Sequence, residues 1–96
     1  MLHVFIPDVL ADHTVGEQEV ELSASTLGEL VQSLEGRFPG IGPRITDGDR
    51  LVSWLSFVID GELAGRSFLT PIPPNAEIHF IPAIAGGLAN YSPNRT

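Results

Sequence analysis

A helix-capping motif constrains this chain more than any other feature. In Thr26-Leu-Gly-Glu29 the hydroxyl can accept from the amide of Glu29, and the carboxylate can reach back to the Thr26 amide, the reciprocal pattern of a helix start. Behind it Leu27, Leu30, Val31, Leu34 and Phe38 recur at helical spacing as one apolar stripe. Pro39-Gly40 ends the run. Gly28 and Gly36 each weaken the helix by up to about 1 kcal/mol relative to Ala. The runs on either side have the period of strands, so the helix is expected to cover one face of a sheet.

Residues 2–6 alternate Leu2, Val4 and Ile6 with His3 and Phe5, which suits a first strand with the former set inward. Pro7-Asp8 closes it, residues 9–16 read as a loop, and residues 17–22 read as a second strand with Val20 and Leu22 inward. Together they make a hairpin. Residues 41–54, with Gly42-Pro43 and Asp47-Gly48-Asp49, read as short irregular structure. A continuous apolar run at 55–59, bounded by Asp60-Gly61, reads as a third strand that turns into residues 62–67. Pro71, Pro73 and Pro74 keep residues 68–72 out of a central strand. The last strand, 77–81, points Ile78 and Phe80 inward, and Pro82 is expected to end its ladder. The expected core comprises Val4, Ile6, Val20, Leu22, Leu30, Leu34, Val58, Ile78 and Phe80. The expected class is α+β, a mixed sheet with one main helix packed on one face.

Composition narrows the function. Ninety-six residues suit one domain with a single small core, and no apolar window is long enough to cross a bilayer. A formal net charge of −7 repels nucleic acid and anionic lipid, which makes a basic protein surface the expected partner. Met1-Leu-His-Val starts in a strand-like pattern without the regions of a secretory signal, so a cytoplasmic location is expected. The chain has no cysteine, hence no disulfide, thiolate metal site or cysteine nucleophile. It has no lysine either, and so offers no ε-amine as an acceptor.

Beyond Pro82 the chain thins to small residues and then to Gly86-Gly87. Without a Cβ, these glycines can pass a slot too narrow for other residues and present a backbone carbonyl to a foreign active site. The run Phe80-Ile-Pro-Ala-Ile-Ala-Gly-Gly87 resembles the tail of the sulfur-carrier family with the ubiquitin-like β-grasp fold. That family includes the small subunit of molybdopterin synthase, the thiamine-pathway sulfur carrier and their cysteine-pathway relatives, and the likeness covers residues 2–87. The resemblance implies that the first and last strands are central, parallel and adjacent. It also implies that the Gly87 carboxylate is adenylated by an enzyme like those that activate ubiquitin, and is then converted to a thiocarboxylate. ATP would be used by that partner and no cofactor bound by the chain. The sulfur would pass to a sulfur-accepting synthase of a cofactor, cysteine or thio-metabolite pathway. The tail is then a substrate, not a catalyst.

Nine polar, unpatterned residues, 88–96, follow Gly87 and read as a disordered extension of a domain spanning residues 1–87. An acyl-adenylate forms only on a free carboxylate, so the extension is expected to be cut off after Gly87, as a metalloprotease does for some carrier relatives.

On the pleat as read, His3 and Phe5 share the exposed sheet face with His79 and Ile81. With Pro82 and Ile84 at the root of the arm they form the expected partner-docking surface. The plainer alternative is an ordinary half-solvated sheet face. Two histidines on neighbouring strands suggest a metal, but no third ligand is placed beside them. Asp47-Gly48-Asp49 lacks the remaining ligands and closing glutamate of a calcium loop. Ser53 and Ser56 have no histidine and acid at a matching spacing, and Glu17, Glu19 and Glu21 read as a solvated strand face. No enzyme active site is expected. Two further readings stay open: a β-grasp binding module whose diglycine is not activated, and a small subunit of a larger enzyme with its tail inserted in the partner's pocket.

Overall fold

The apolar alternation at the start of the chain forms β1 (Leu2–Phe5) and β2 (Glu19–Leu22), paired antiparallel with Leu2 opposite Leu22 and Phe5 opposite Glu19. The structure, a computed structural model, describes residues 1–83. The link between the two strands is not a plain loop. It contains a 3-10 helix, Asp8–His13, which drops Leu10 into the core at 1% exposure and leaves Asp8, Val9 and Asp12 outside. Thr14 is fully buried behind it, its hydroxyl 2.9 Å from the Glu17 carbonyl. Strand β2 therefore begins at Glu19, two residues later than the alternation suggested.

Helix α1 (Leu27–Arg37) starts as its cap dictates, with Thr26 Oγ1 accepting from the Glu29 amide at 3.2 Å. The Glu29 carboxylate reaches one residue further back than expected and accepts from the Ser25 amide at 2.7 Å. Leu27, Leu30, Val31, Leu34 and Phe38 are all buried, as the stripe requires. At the far end the Glu35 carboxylate accepts from the amides of Gly40 at 2.9 Å and Gly42 at 2.7 Å, tying the turn to the helix. Residues 41–54 are more regular than their sequence suggests. They hold a one-turn helix α2 (Gly42–Ile45) and a small hairpin of β3 (Thr46–Asp47) and β4 (Arg50–Leu51). Ile41, Ile45 and Leu51 anchor this segment in the core. The Asp47-Gly48-Asp49 run is the hairpin turn, with Gly48 at φ 68°.

Three more strands complete the sheet: β5 (Leu55–Ile59), β6 (Glu62–Ala64) and β7 (Glu77–Pro82). The order is β2-β1-β7-β5-β6, with β1 and β7 parallel and the other neighbours antiparallel. Asp60 and Gly61, at φ 50° and 85°, make the tight β5–β6 turn that an Asp-Gly pair favours. The core lies between this sheet and α1, where Val4, Leu30, Leu34, Phe57 and Ile78 are at most 1% exposed. Burying one such side chain contributes about 1.5–3 kcal/mol.

Two expectations need correction. Val58 is half-buried on the opposite face of the sheet, and Leu55 and Phe57 occupy the core in its place. The apolar run Phe57-Val58-Ile59 carries no alternation, so its facing is set by pairing, and Phe57 sits opposite Phe80 with the rings 5.6 Å apart. Nor does Pro82 end the ladder, since it pairs with Leu55 and the next amide, that of Ala83, donates to the Trp54 carbonyl at 2.6 Å. Antiparallel residues alternate in the direction of their amides. The donor that Pro82 lacks would have pointed to the β1 side, where β1 has already ended.

Candidate functional site

The sheet face turned away from α1 is built by register. Phe5 lies opposite Glu19 on β2 and opposite His79 on β7, His79 lies opposite Val58, and Val58 lies opposite Leu63. One row of side chains thus crosses all five strands, acidic at the β2 edge and apolar at the β6 edge. Phe5 stacks on both imidazoles, with ring centroids 4.9 Å from His3 and 4.3 Å from His79. Each imidazole also meets a carboxylate: His3 Nε2 contacts Glu19, and His79 Nε2 lies 2.9 Å from Glu77 Oε2. Above the row Ile81 is 48% exposed, and at its end Leu63 is 75% exposed.

The expected docking residues His3, Phe5, His79 and Ile81 are therefore neighbours on one exposed face, and Pro82 is half-buried at the end of the same strand. Ile84, Gly86, Gly87 and the extension 88–96 lie outside the described residues. Val58 and Leu63 are members of this face that reading the sequence missed. The signal was present in the Asp60-Gly61 turn, because a two-residue hairpin turn fixes Ile59 opposite Glu62 and hence Val58 opposite Leu63. Among the described residues no three histidine, aspartate or glutamate side chains are grouped to hold a metal ion. No helix among them is long and apolar enough to cross a membrane.

The end of the sheet where β7 finishes is equally defined. Because β1 and β7 run parallel, the residue 7–17 connection rises beside the end of β7, and the Ala83–Trp54 hydrogen bond places residues 52–54 on its other side. At the same end Arg37, in the last turn of α1, pairs with Glu17 at 3.1 Å. Ala83, the last described residue, therefore stands at this end of the sheet.

A five-stranded mixed sheet of this order, wrapped around one main helix, defines a ubiquitin-like β-grasp protein that extends its chain from a central strand. The chain belongs to the ThiS family, whose profile matches residues 4–87. It is similar to the sulfur carrier protein CysO of Mycobacterium bovis, 32% identical over 89 residues that cover 88% of this chain and 96% of the relative. CysO of Mycobacterium tuberculosis matches by the same measures. Among solved structures it resembles the Amycolatopsis orientalis BexX/CysO complex, with a TM-score of 0.82 at 28% identity over 91% of this chain and all of that one. M. tuberculosis CysO follows with a TM-score of 0.77 at 28% identity, over 88% of this chain and all of that one. SAMP1 from Haloferax volcanii, at 20% identity and a TM-score of 0.67 over 90% of this chain and 98% of that one, shows the fold alone. The relatives are sulfur carriers, and this chain is a carrier of that kind, not an enzyme. One of them has been seen in complex with a second protein.

Proposed function

We propose that this chain carries sulfur on the carboxyl group of Gly87, once residues 88–96 have been removed. The observation that carries the reading is the extent of the family match, which runs through the second glycine and stops there, while the chain continues for nine residues. The fold supports it. The strand that leads into Ile84-Ala-Gly-Gly87 is the middle one of the sheet, paired with β1 up to His79 and with β5 up to Pro82, so the arm has a rigid base.

In the activation step an oxygen of the Gly87 carboxylate bonds to the α-phosphorus of ATP and pyrophosphate leaves. A hydrosulfide then attacks the acyl carbon, the acyl–oxygen bond to AMP breaks, and loss of the sulfur-bound proton leaves the thiocarboxylate. The adenylating partner supplies the nucleotide site; this chain supplies the acyl end and a docking face. Phe5, His79, Val58, Leu63 and Ile81 provide the apolar part of that face, and Glu19, Glu21 and Glu77 make its margin acidic, which suits a partner with a basic rim. A sulfur-accepting synthase is the second partner, and a protease that cuts after Gly87 precedes both.

The test compares the full chain with a version ending at Gly87 in the presence of the cognate adenylating enzyme, ATP and a sulfur donor. Pyrophosphate release and a thiocarboxylate mass are expected for the shortened chain alone. Equal activation of both chains would overturn the processing step. Activation of neither would overturn the carrier assignment and favour a binding module.

A further inference from the structure

Three non-glycine residues among the described ones have positive φ: Asp60, Asn75 and Val15. Asp and Asn tolerate the left-handed region through short polar side chains; a β-branched residue does not. Val15 nevertheless sits there at φ 53°, and its side chain is 90% exposed, so neither backbone preference nor burial explains the valine. The surrounding turn holds it in place. Thr14 is fully buried, the Gly16 amide donates to the Ala11 carbonyl at 3.0 Å, and the Glu17 amide donates to the Thr14 carbonyl at 3.0 Å. An apolar side chain is thus held outward on a locked loop. Val9, on the same connection, is 53% exposed, and Asp8 and Asp12 of the same 3-10 turn are exposed as well.

The location of this turn gives it a partner. It belongs to the residue 7–17 connection, which leaves β1 at the end of the sheet where β7 finishes, β1 being the strand next to β7 at a spacing of about 5 Å. Residues 84–87, even fully extended, reach at most about 14 Å. An enzyme that draws Gly87 into its active site must therefore bring its surface down to the rim around Ala83, and the connection carrying Val15 stands on that rim. We infer that Val15, supported by Val9, is a specificity contact for the enzyme that activates the arm, entering an apolar recess bordered by basic groups that face Asp8 and Asp12. The inference rests on the carrier reading above and adds to the sheet face a second contact, next to the arm itself.

Val15→Asn separates this role from a structural one, because asparagine relaxes the left-handed backbone while removing the apolar side chain. In chains ending at Gly87, the variant is expected to melt at or above the parent temperature. Its KM for the adenylating enzyme, followed by pyrophosphate release, should rise by about tenfold with kcat unchanged. Val15→Ile, which keeps the apolar contact, should retain the parent KM. A parent-like KM for Val15→Asn, or a lower melting temperature for it, overturns the inference while leaving the carrier reading standing. If the parent itself releases no pyrophosphate, the carrier reading fails and this contact fails with it.

Discussion

Glu35 shows how much a single carboxylate can organise without being buried. The amides of Gly40 and then Gly42 donate to it and hold its carboxyl below the ordinary carboxylate range. Because the folded-state value is the lower one, the ionised form favours folding. That contribution is fully present above the unfolded-state value and is lost as pH falls through the folded-state value. Glu35→Gln is expected to unfold at lower urea than the parent at neutral pH and to converge with it in acid. A difference that stays constant with pH would contradict this assignment. The two glycines of α1 divide in a way their sequence did not reveal. A Cβ at Gly36 would meet open space, whereas one at Gly28 would lie 3.0 Å from the Phe68 Cβ. Gly36→Ala should therefore stabilise by up to about 1 kcal/mol in urea unfolding, and Gly28→Ala should return less than that or nothing.

Elements with a period were legible from the residues alone. The capping box, the α1 stripe and the alternation in β1, β2 and β7 each carry their own burial pattern, and those faces are found as read. Where a pattern was missing, only tertiary pairing decided. Leu55–Ile59 has no apolar alternation around Phe57 and Val58, so only its place opposite His79 shows that Val58 turns outward. One-turn α2 and the two-residue strands β3 and β4 are too short for any period, and in Val9-Leu10-Ala11 nothing in the residues alone singles out Leu10 as the buried one. The corrected register is testable: Phe57→Ala should cost about 3–5 kcal/mol, and Val58→Ala much less. The same face yields the docking prediction. Phe5→Asp, Ile81→Asp and Val58→Asp should weaken the complex with the adenylating enzyme in a titration, with little change in the urea midpoint of the free chain. Unchanged binding in all three would make this an ordinary solvated sheet face.

For the molecule as a whole, fold and function meet at one end. Parallel pairing of β1 with β7 brings the start of the arm, the Val15 turn and the Arg37–Glu17 pair to the same end of the sheet, with the docking face extending down from it. Most of the face could be read from the sequence, because it needs only strand parity. The rim could not, because it depends on which strands are neighbours. The net charge of −7 gives association with a basic partner a salt-sensitive rate. If Gly87 is the working end of the chain, the intact mass of the protein isolated from its own cells reports it. The expected mass is that of a chain ending at Gly87, with a fraction heavier by the exchange of one carboxylate oxygen for sulfur. A population that uniformly retains residues 88–96 and carries no sulfur would contradict it.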